Sequence, residues 1–284
     1  MERNKFASGF INVVASPHPE GIYPRALASI ANDPINFYGS SYAAIRAPRQ
    51  VAKDDPALHE GYITIWTEVD TTEPSIDKAT LDQVAIEDDL KEIFKKRGFN
   101  SRTFNYVLDA STHKIAVELL NDQGKTLSAR QAGNIFGMAF ARLNERGQTY
   151  EVTVIPEDDA LATVLGLSRI DKIRMVIKRP NPGDHLDTDA AEVLREMEEQ
   201  NINKDERIFT RQSGTESINL SEANHTRALV ASTDGFVESA GRDENGQPDK
   251  RSTKEYPKIV KRTLAAGTTF MQALRNEARR FRGT

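Results

Sequence analysis

Lysines and arginines at regular spacing are the residues of this chain that suggest a chemistry, namely the binding of phosphate-rich polymers. Near the C-terminus three arginines recur at helical intervals beside an apolar stripe, and three cations precede them: Lys258, Lys261, Arg262, Arg275, Arg279 and Arg282. A row of guanidinium groups along one side of a helix can follow a phosphate backbone. The stretch predicts a polyanion-binding surface. The alternatives are a solvated helix or ion pairing to acids elsewhere in the chain.

A second cationic set lies on a predicted strand over residues 170–179. Its apolar residues alternate with cations, so one strand face is apolar and the other carries Lys172, Arg174 and Lys178, with Arg179 following. Neither set is accompanied by the Asn, Gln and Arg pattern of a recognition helix. Any DNA binding is therefore expected to use phosphates, without strong sequence preference.

The distribution of charge supports the same interpretation. The 284 residues carry a net charge of only −4, but residues 250–284 contain ten Lys or Arg and two acids, a net of +8. The preceding residues hold 28 Lys or Arg and 40 acids, a net of −12. Such asymmetry indicates a polyanion partner or a partner on the acidic part of the same chain.

Catalytic and metal-binding patterns are weak. Two acidic or histidine-containing groups could ligate a divalent cation, but each precedes a predicted helix, where capping is the commoner role: Glu157, Asp158 and Asp159, and His185, Asp187 and Asp189. The segment NDQGKT at 121–126 lacks the first glycine of a phosphate loop, which favours a simple turn. His18 and His59 have no obvious partners. We expect no cofactor, no metal and no enzymatic activity, with a metal-dependent nuclease as the alternative.

The elements that must position these residues follow from hydrophobic periodicity. A central segment is predicted as a hairpin, a helix, a strand, a helix ending at Gly166 and the cationic strand, over residues 102–108, 113–119, 127–143, 150–155, 156–167 and 170–179. Before it we predict a strand, a helix, two strands joined by a loop at 47–60, and a helix, at 9–15, 24–31, 37–45, 61–69 and 86–96. After it we predict a helix, three strands and a final helix, at 190–200, 207–212, 226–232, 235–240 and 257–282, with an interruption of the final helix near Gly267 as an alternative.

This order predicts an α+β fold. Residues 1–180 are expected to form a mixed α/β body of two strand-helix-strand units, and the Pro-, Gly- and Asp-rich residues 181–189 a linker. Residues 190–284 are expected to form a smaller C-terminal α/β domain that ends in the basic helix. No apolar run has the length of a membrane helix, and the chain has no cysteine, so a reducing cytoplasm is the expected setting.

The middle of the chain resembles the RexA exclusion proteins of temperate phages. The resemblance lies in RTFNYVLDASTHKIAVELLNDQGKTLSARQAGNIF and in TYEVTVIPEDDALATVLGLSRIDKIRMVIKRPN, while GFINVVASPHPEGIYP is similar to the opening of an uncharacterised bacterial family found near phage-defence genes. It implies a non-enzymatic, dimeric, DNA-binding sensor that acts with an effector partner in abortive infection. The DNA role it implies falls on Lys172, Arg174, Lys178 and Arg179, with Arg227 as the one basic counterpart further on.

The leading hypothesis is a cytoplasmic, homodimeric phage-defence protein that binds double-stranded DNA. The alternative is a protein-interaction or scaffold subunit whose basic tail docks on an acidic partner encoded nearby.

Overall fold

A computed structural model of the protein describes residues 5–52, 55–144, 148–179 and 188–282. The first half contains β1 (Lys5–Ser16), α1 (Ile22–Ser29), β2 (Ile35–Tyr38), β3 (Ser41–Ile45), β4 (Arg49–Ala52), β5 (Asp55–Thr67), β6 (Ser75–Ile76), β7 (Gln83–Val84), α2 (Asp88–Lys96), β8 (Phe99–Asp109), β9 (Lys114–Leu120) and α3 (Ala129–Ala141). The second half contains β10 (Thr149–Val154), α4 (Ala160–Leu165), β11 (Arg169–Lys178), α5 (Thr188–Glu199), β12 (Lys204–Thr210), α6 (Glu222–Asp234), β13 (Gly235–Arg242), β14 (Pro248–Ser252), a 3-10 turn (Thr253–Glu255), β15 (Ile259–Thr263) and α7 (Phe270–Arg282). The predicted α+β class is confirmed.

The strands form two sheets. In the larger sheet the order is β10-β1-β9-β8-β5-β3-β2, with β15 also paired to β1 and β4 to β5. The smaller sheet has the order β12-β11-β13-β14, and all its pairs are antiparallel. Strands β6 and β7 form a separate short hairpin. The predicted hairpin of the central segment is confirmed as β8 and β9.

Each sheet buries its apolar face against helices. Helices α1 and α3 cover one face of the larger sheet through residues such as Leu27, Ile135 and Phe136, while α7 covers the opposite face through Leu274. In the smaller sheet, Ile173 and the other apolar residues of β11 pack against α4, α5 and α6. The opposite face of β11 carries the predicted cations Lys172, Arg174 and Lys178, and none of these residues belongs to the core cluster of this sheet.

The sheets do not follow the predicted boundary at residues 181–189. Strand β15 and helix α7 belong to the larger sheet, although they come from the predicted C-terminal domain. Strand β11 pairs with β12 and β13 in the smaller sheet, although it comes from the predicted body. The basic terminal helix is therefore present, but it packs against the larger sheet. Residues 181–187 of the predicted linker lie outside the described residues.

Several element predictions were wrong for local reasons. Residues 226–232 were predicted as a strand but belong to α6. This helix is capped by Ser221, whose Oγ accepts a hydrogen bond from Asn224 N, and the apolar residues that alternate in the sequence lie along it. Residues 257–282 hold β15 as well as α7, and only the alternative of an interruption near Gly267 is confirmed, since Gly267 has φ +84° in the turn between the two elements. The predicted strand 37–45 is a hairpin, since Gly39 turns the chain at φ +51°. The predicted loop 47–60 contains β4 and the start of β5.

Candidate nucleic-acid interface

The apolar stripe of α7 lies where its spacing predicts. The ring of Phe270 meets Phe6 edge-on at 5.9 Å between centroids, and Phe281 stacks on Phe10 at 4.4 Å. Leu274 between them is fully buried. These contacts hold α7 against β1 and orient its arginine stripe along the larger sheet.

The arginine stripe of α7 is ion-paired inside the protein. Each arginine meets a carboxylate of the larger sheet: Arg275 contacts Glu60, Arg279 contacts Asp55, and Arg282 contacts Asp55 and Asp109. The Nε atom of Arg282 lies 2.6 Å from an Asp109 oxygen, and its Nη2 atom lies 3.1 Å from Asp55. Glu60 and Asp109 are only 2% and 1% exposed. Intramolecular pairing, the alternative that the sequence left open, is therefore what the structure shows for the stripe.

The pKa values of the paired groups follow from these contacts. Burial acts to raise the pKa of Asp55, but hydrogen bonds from Arg279 and Arg282 lower it below its ordinary value. The hydrogen bond to Asp109, with a further contribution from Asp55, raises the pKa of Arg282. The pKa shifts of Asp55 and Arg282 thus both favour the charged form of the pair.

The cations that precede α7 divide into two groups. Lys258 donates to Asp158 at 2.7 Å, and Arg262 forms a two-point contact with Glu277, a buried residue of α7. Lys261 is exposed, and no carboxylate among the described residues lies within ion-pair distance of it. Only Lys261 of this group therefore keeps an unpaired charge.

The cationic face of β11 is also largely paired. Arg174 contacts Glu206 at 2.8 Å and Glu238 at 3.5 Å, while Lys178 reaches Glu151 of the larger sheet at 2.5 Å. Arg179 pairs with Glu198 at 2.8 Å. Two predicted residues differ from these: Lys172 is exposed, without an ion pair in the described part of the chain, and Arg227 lies on α6, where it contacts Glu196 and Asp205. Because α6 covers the apolar face of the smaller sheet, Arg227 does not join the cationic face.

The structure brings a different set of cations together in a cleft between the two sheets. The cleft has two adjoining lobes of about 890 and 1150 Å³, which share Ser128, Arg130, Gln131, Lys254 and Glu255. Its charged lining consists of Lys5, Arg130, Lys178, Lys254, Lys261 and Arg262 against Glu238 and Glu255. We call this surface the cationic cleft. Its two walls are tied together by the ion pair of Lys178 with Glu151.

Four cations of the cationic cleft lack a carboxylate partner. Lys5, Arg130, Lys254 and Lys261 make no ion pair with any described residue, although Arg130 and Lys261 are exposed and free to do so. The sequence pointed to Lys261 alone. Lys5 and Lys254 are separated by most of the chain, and only the pairing of β15 with β1 brings their segments to one sheet edge.

The N-terminus of α3 forms one side of the cationic cleft. Ser128 accepts a hydrogen bond from Gln131 N at 3.1 Å, and the Gln131 side chain accepts one from Ser128 N at 3.2 Å, which is a capping box. The positive end of the helix therefore points toward the same space as Arg130. Helix N-termini of this kind favour anions. The S-x-x-Q pattern in the sequence could have located this helix start, but not its cationic surroundings.

Lys254 has an aromatic ring and several cations as neighbours in the cationic cleft. Its Nζ atom lies 3.3 Å from the centroid of the Phe236 ring, and the guanidinium of Arg174 lies 5.1 Å from the same centroid. Burial lowers the pKa of Lys254, and although Glu238 opposes this, the nearby cations Lys178, Arg174 and Arg130 lower it further. Mutual repulsion among cations is relieved by a bound anion, so this cluster favours an anionic ligand.

The remaining candidates take structural roles or lie outside the described residues. Asn121 accepts hydrogen bonds from Gln123 N and Lys125 N, which confirms a turn at 121–126. His18 does have partners: it is hydrogen-bonded to Tyr23 at 3.1 Å, and its ring lies 4.6 Å from that of His113. For His59, burial lowers the pKa. His185 and Asp187 are outside the described residues, as is the side chain of Asp189.

Within the described ranges, no three His, Asp or Glu side chains are grouped as metal ligands. None of the helices in those ranges has the length and apolar character needed to cross a membrane.

Comparison with known proteins gives one family. The model described as "Domain of unknown function (DUF4747)" matches residues 4–279. A comparison with curated proteins found no match. The match covers both sheets, the cationic cleft and nearly all of α7, so the features described above belong to the family domain.

Proposed function

We propose that this chain, which belongs to the DUF4747 family, binds nucleic acid through the cationic cleft. The observation that carries the proposal is the group of unpaired cations, Lys5, Arg130, Lys254 and Lys261, gathered beside the N-terminus of α3. Cations without carboxylate partners retain their full attraction for phosphate, whereas the arginines of α7 are already neutralised by buried acids.

The size and lining of the cationic cleft favour a polymer over a small anion. Its two lobes extend from β15 past the start of α3 to β2, so successive phosphates can meet successive cations. The wider lobe is lined by Tyr38, which is 74% exposed, and by Phe37 and Phe236, which are buried in its wall. An exposed aromatic side chain beside a cationic groove provides a stacking surface for a base.

The proposed binding is independent of base sequence. The cationic cleft offers lysine and arginine groups and a helix N-terminus, which contact phosphates, and these contacts position nucleic acid without reading its bases. Lys172, exposed on β11, extends the cationic surface beyond the cleft.

The alternative of a metal-dependent nuclease gains no support from the site. Asp158, its central candidate, is ion-paired with Lys258, and the described residues group no three metal ligands. We therefore propose that the chain acts by binding rather than by catalysis. A role as a cytoplasmic, homodimeric sensor in phage exclusion remains a prediction that rests on the resemblance to the RexA proteins.

The test is a salt titration of DNA affinity. Fluorescence anisotropy with a labelled duplex, repeated with a single strand, compares wild type with Arg130→Glu/Lys261→Glu. Both side chains are exposed and unpaired among the described residues, so the fold is expected to tolerate the change. We expect wild-type affinity to fall steeply with salt. The variant should bind at least about tenfold more weakly. The slope of its log affinity against log salt concentration should correspond to about two fewer phosphate contacts.

The matched control is Arg46→Glu/Arg195→Glu, which makes the same change in net charge at exposed positions outside the cationic cleft and outside residues 68–98. The control should bind as wild type does. Equal loss in the two double variants would show a response to net charge alone, and absence of salt-sensitive binding by the wild type would refute the proposal.

A further inference from the structure

An arm formed by residues 68–98 projects from the larger sheet between β5 and β8. It contains the β6–β7 hairpin and α2, and no residue of the arm is buried. Its start is fixed to the sheet by the bond from Glu68 N to Ser40 O at 2.9 Å, and Trp66 Nε1 donates to the Glu68 side chain. An ordered segment that buries nothing within its own chain has its side chains available for another surface.

The arm exposes apolar side chains in both of its elements. Large apolar residues with 40% or more of their surface exposed are Val69, Ile76, Leu81, Val84, Leu90 and Ile93. In α2 these residues share one side of an amphipathic helix that has no buried residue. Several exposed large apolar side chains in one segment of the chain favour an interaction site there.

The arm also carries a net negative charge. Its nine Asp or Glu and five Lys or Arg give a net charge of −4. Four of the five cations lie in or directly after α2, where Lys91 pairs with Asp88 and Lys95 with Glu92, so the acidic charge is concentrated in residues 68–87, which hold six Asp or Glu and one Lys. A partner surface must therefore be both apolar and cationic.

The cationic cleft has this combination of properties. Its charged lining has six cations and two acids, and four of the cations make no ion pair among the described residues. Its wider lobe adds exposed apolar groups, among them Tyr38 and Met138, which are 74% and 39% exposed. The arm and the cleft are thus complementary in charge and in apolar character.

We propose that the arm of one copy of this chain docks in the cationic cleft of a second copy. Every copy carries one arm and one cleft, so a reciprocal exchange satisfies both sites and closes a two-fold dimer. The occupant is a second copy because the arm is exposed in its own chain and lines neither lobe of its own cleft. Because the acidic arm and nucleic acid bind the same cations, self-association competes with nucleic-acid binding.

The test is the mass of the full chain in solution, measured by sedimentation over a range of protein concentrations at low salt. Wild type is expected at twice the chain mass as concentration rises. Glu73→Lys/Glu87→Lys reverses two exposed arm carboxylates that make no side-chain bond among the described residues. We expect it to weaken the dimer at least about tenfold. Arg130→Glu/Lys261→Glu is expected to do the same from the cleft side.

Charge exchange gives the decisive comparison. The arm variant and the cleft variant are mixed, or the two sets of substitutions are combined in one chain. In both cases a reversed arm meets a reversed cleft, so opposite charges face each other again and association should recover. Glu216→Lys/Glu244→Lys, an equal change at exposed acids outside the arm, should leave the dimer intact. A wild type that stays monomeric, or arm and cleft variants that dimerise like wild type, would overturn the inference.

The inference does not depend on the nature of the anion proposed above. If the dimer responds to the arm and cleft variants but wild type binds no DNA, the nucleic-acid proposal fails and the docking stands. If DNA binds and the arm variant binds it no more tightly than wild type, the competition is refuted.

Discussion

The terminal helix and the cationic cleft contain the same residue types but serve the protein differently. Along α7 each arginine of the stripe meets a carboxylate, and two of these carboxylates, Glu60 and Asp109, are almost fully buried. In the cleft, Arg130 and Lys261 are exposed, with no carboxylate partner among the described residues. The number of cations in a stretch of sequence thus does not distinguish a ligand-binding surface from a set of structural ion pairs. The presence of buried acids beside the cations in the folded protein makes that distinction.

The largest expected effect is on the terminal helix. Arg282→Leu leaves Asp109 buried without its cation, and we expect the free energy of unfolding to fall by about 3 kcal/mol. Urea denaturation followed by the fluorescence of Trp66 measures this change.

The control removes both charges of that pair. Asp109→Asn/Arg282→Leu leaves no buried charge, so part of the lost stability should return. If the double variant is no more stable than Arg282→Leu, or if Arg282→Leu unfolds like wild type, the pair is not structural.

A smaller effect is expected at Glu118, a carboxylate near α7 that has no arginine. Glu118 lies on the same side of β9 as Ala116, which packs with α7, and it is 1% exposed. Asn105 donates two hydrogen bonds of 2.7 Å to one of its oxygens. Burial raises the pKa of Glu118 to about 7, despite these bonds. This contrasts with Asp55, whose arginine partners lower its pKa.

The sign of the pH dependence follows from that raised value. Below the ordinary pKa of 4.5, Glu118 is protonated in both states. Between this value and about 7 the unfolded chain loses the proton while the native protein keeps it, so the free energy of unfolding falls as pH rises. The full cost above that range is about 3 kcal/mol.

Comparing wild type with Glu118→Gln separates the contribution of Glu118 to the pH dependence of stability from that of all other titrating groups. The stability difference between the two proteins should favour wild type in acid and shift by about 3 kcal/mol toward the variant by pH 8. Chemical denaturation at several pH values provides the data. A difference that does not change with pH would contradict a raised pKa.

Hydrophobic periodicity predicts much of the fold, but it does not predict the segment that leads into the terminal helix. The alternation in β8, β9 and β11 and the helical spacing in α3 specify these elements directly, and all four are present. Strand β15 was missed because its short cationic stretch reads as a continuation of α7. Local patterns do not reveal that it pairs with β1, a contact between opposite ends of the chain.

The candidate site was less accessible to sequence reasoning than the fold. The arginines of α7, which the sequence predicted as ligand-binding cations, form ion pairs with carboxylates more than 170 residues away in sequence. Conversely, Lys5 and Arg130 are isolated in the sequence and become neighbours of the same cleft only through sheet pairing. Ion pairing and cleft formation both depend on tertiary contacts, which composition and spacing do not contain.

The most direct test of this division of roles is the thermal unfolding of Arg130→Glu/Lys261→Glu with and without a short DNA duplex at low salt. Without DNA, at a protein concentration at which wild type is monomeric, its midpoint should lie within about 2 °C of wild type, because these cations stabilise no buried group. With DNA at about one hundred times its dissociation constant, wild type should gain about 5 °C and the variant little. A variant that melts well below wild type without DNA, or gains as much as wild type with it, would contradict the account.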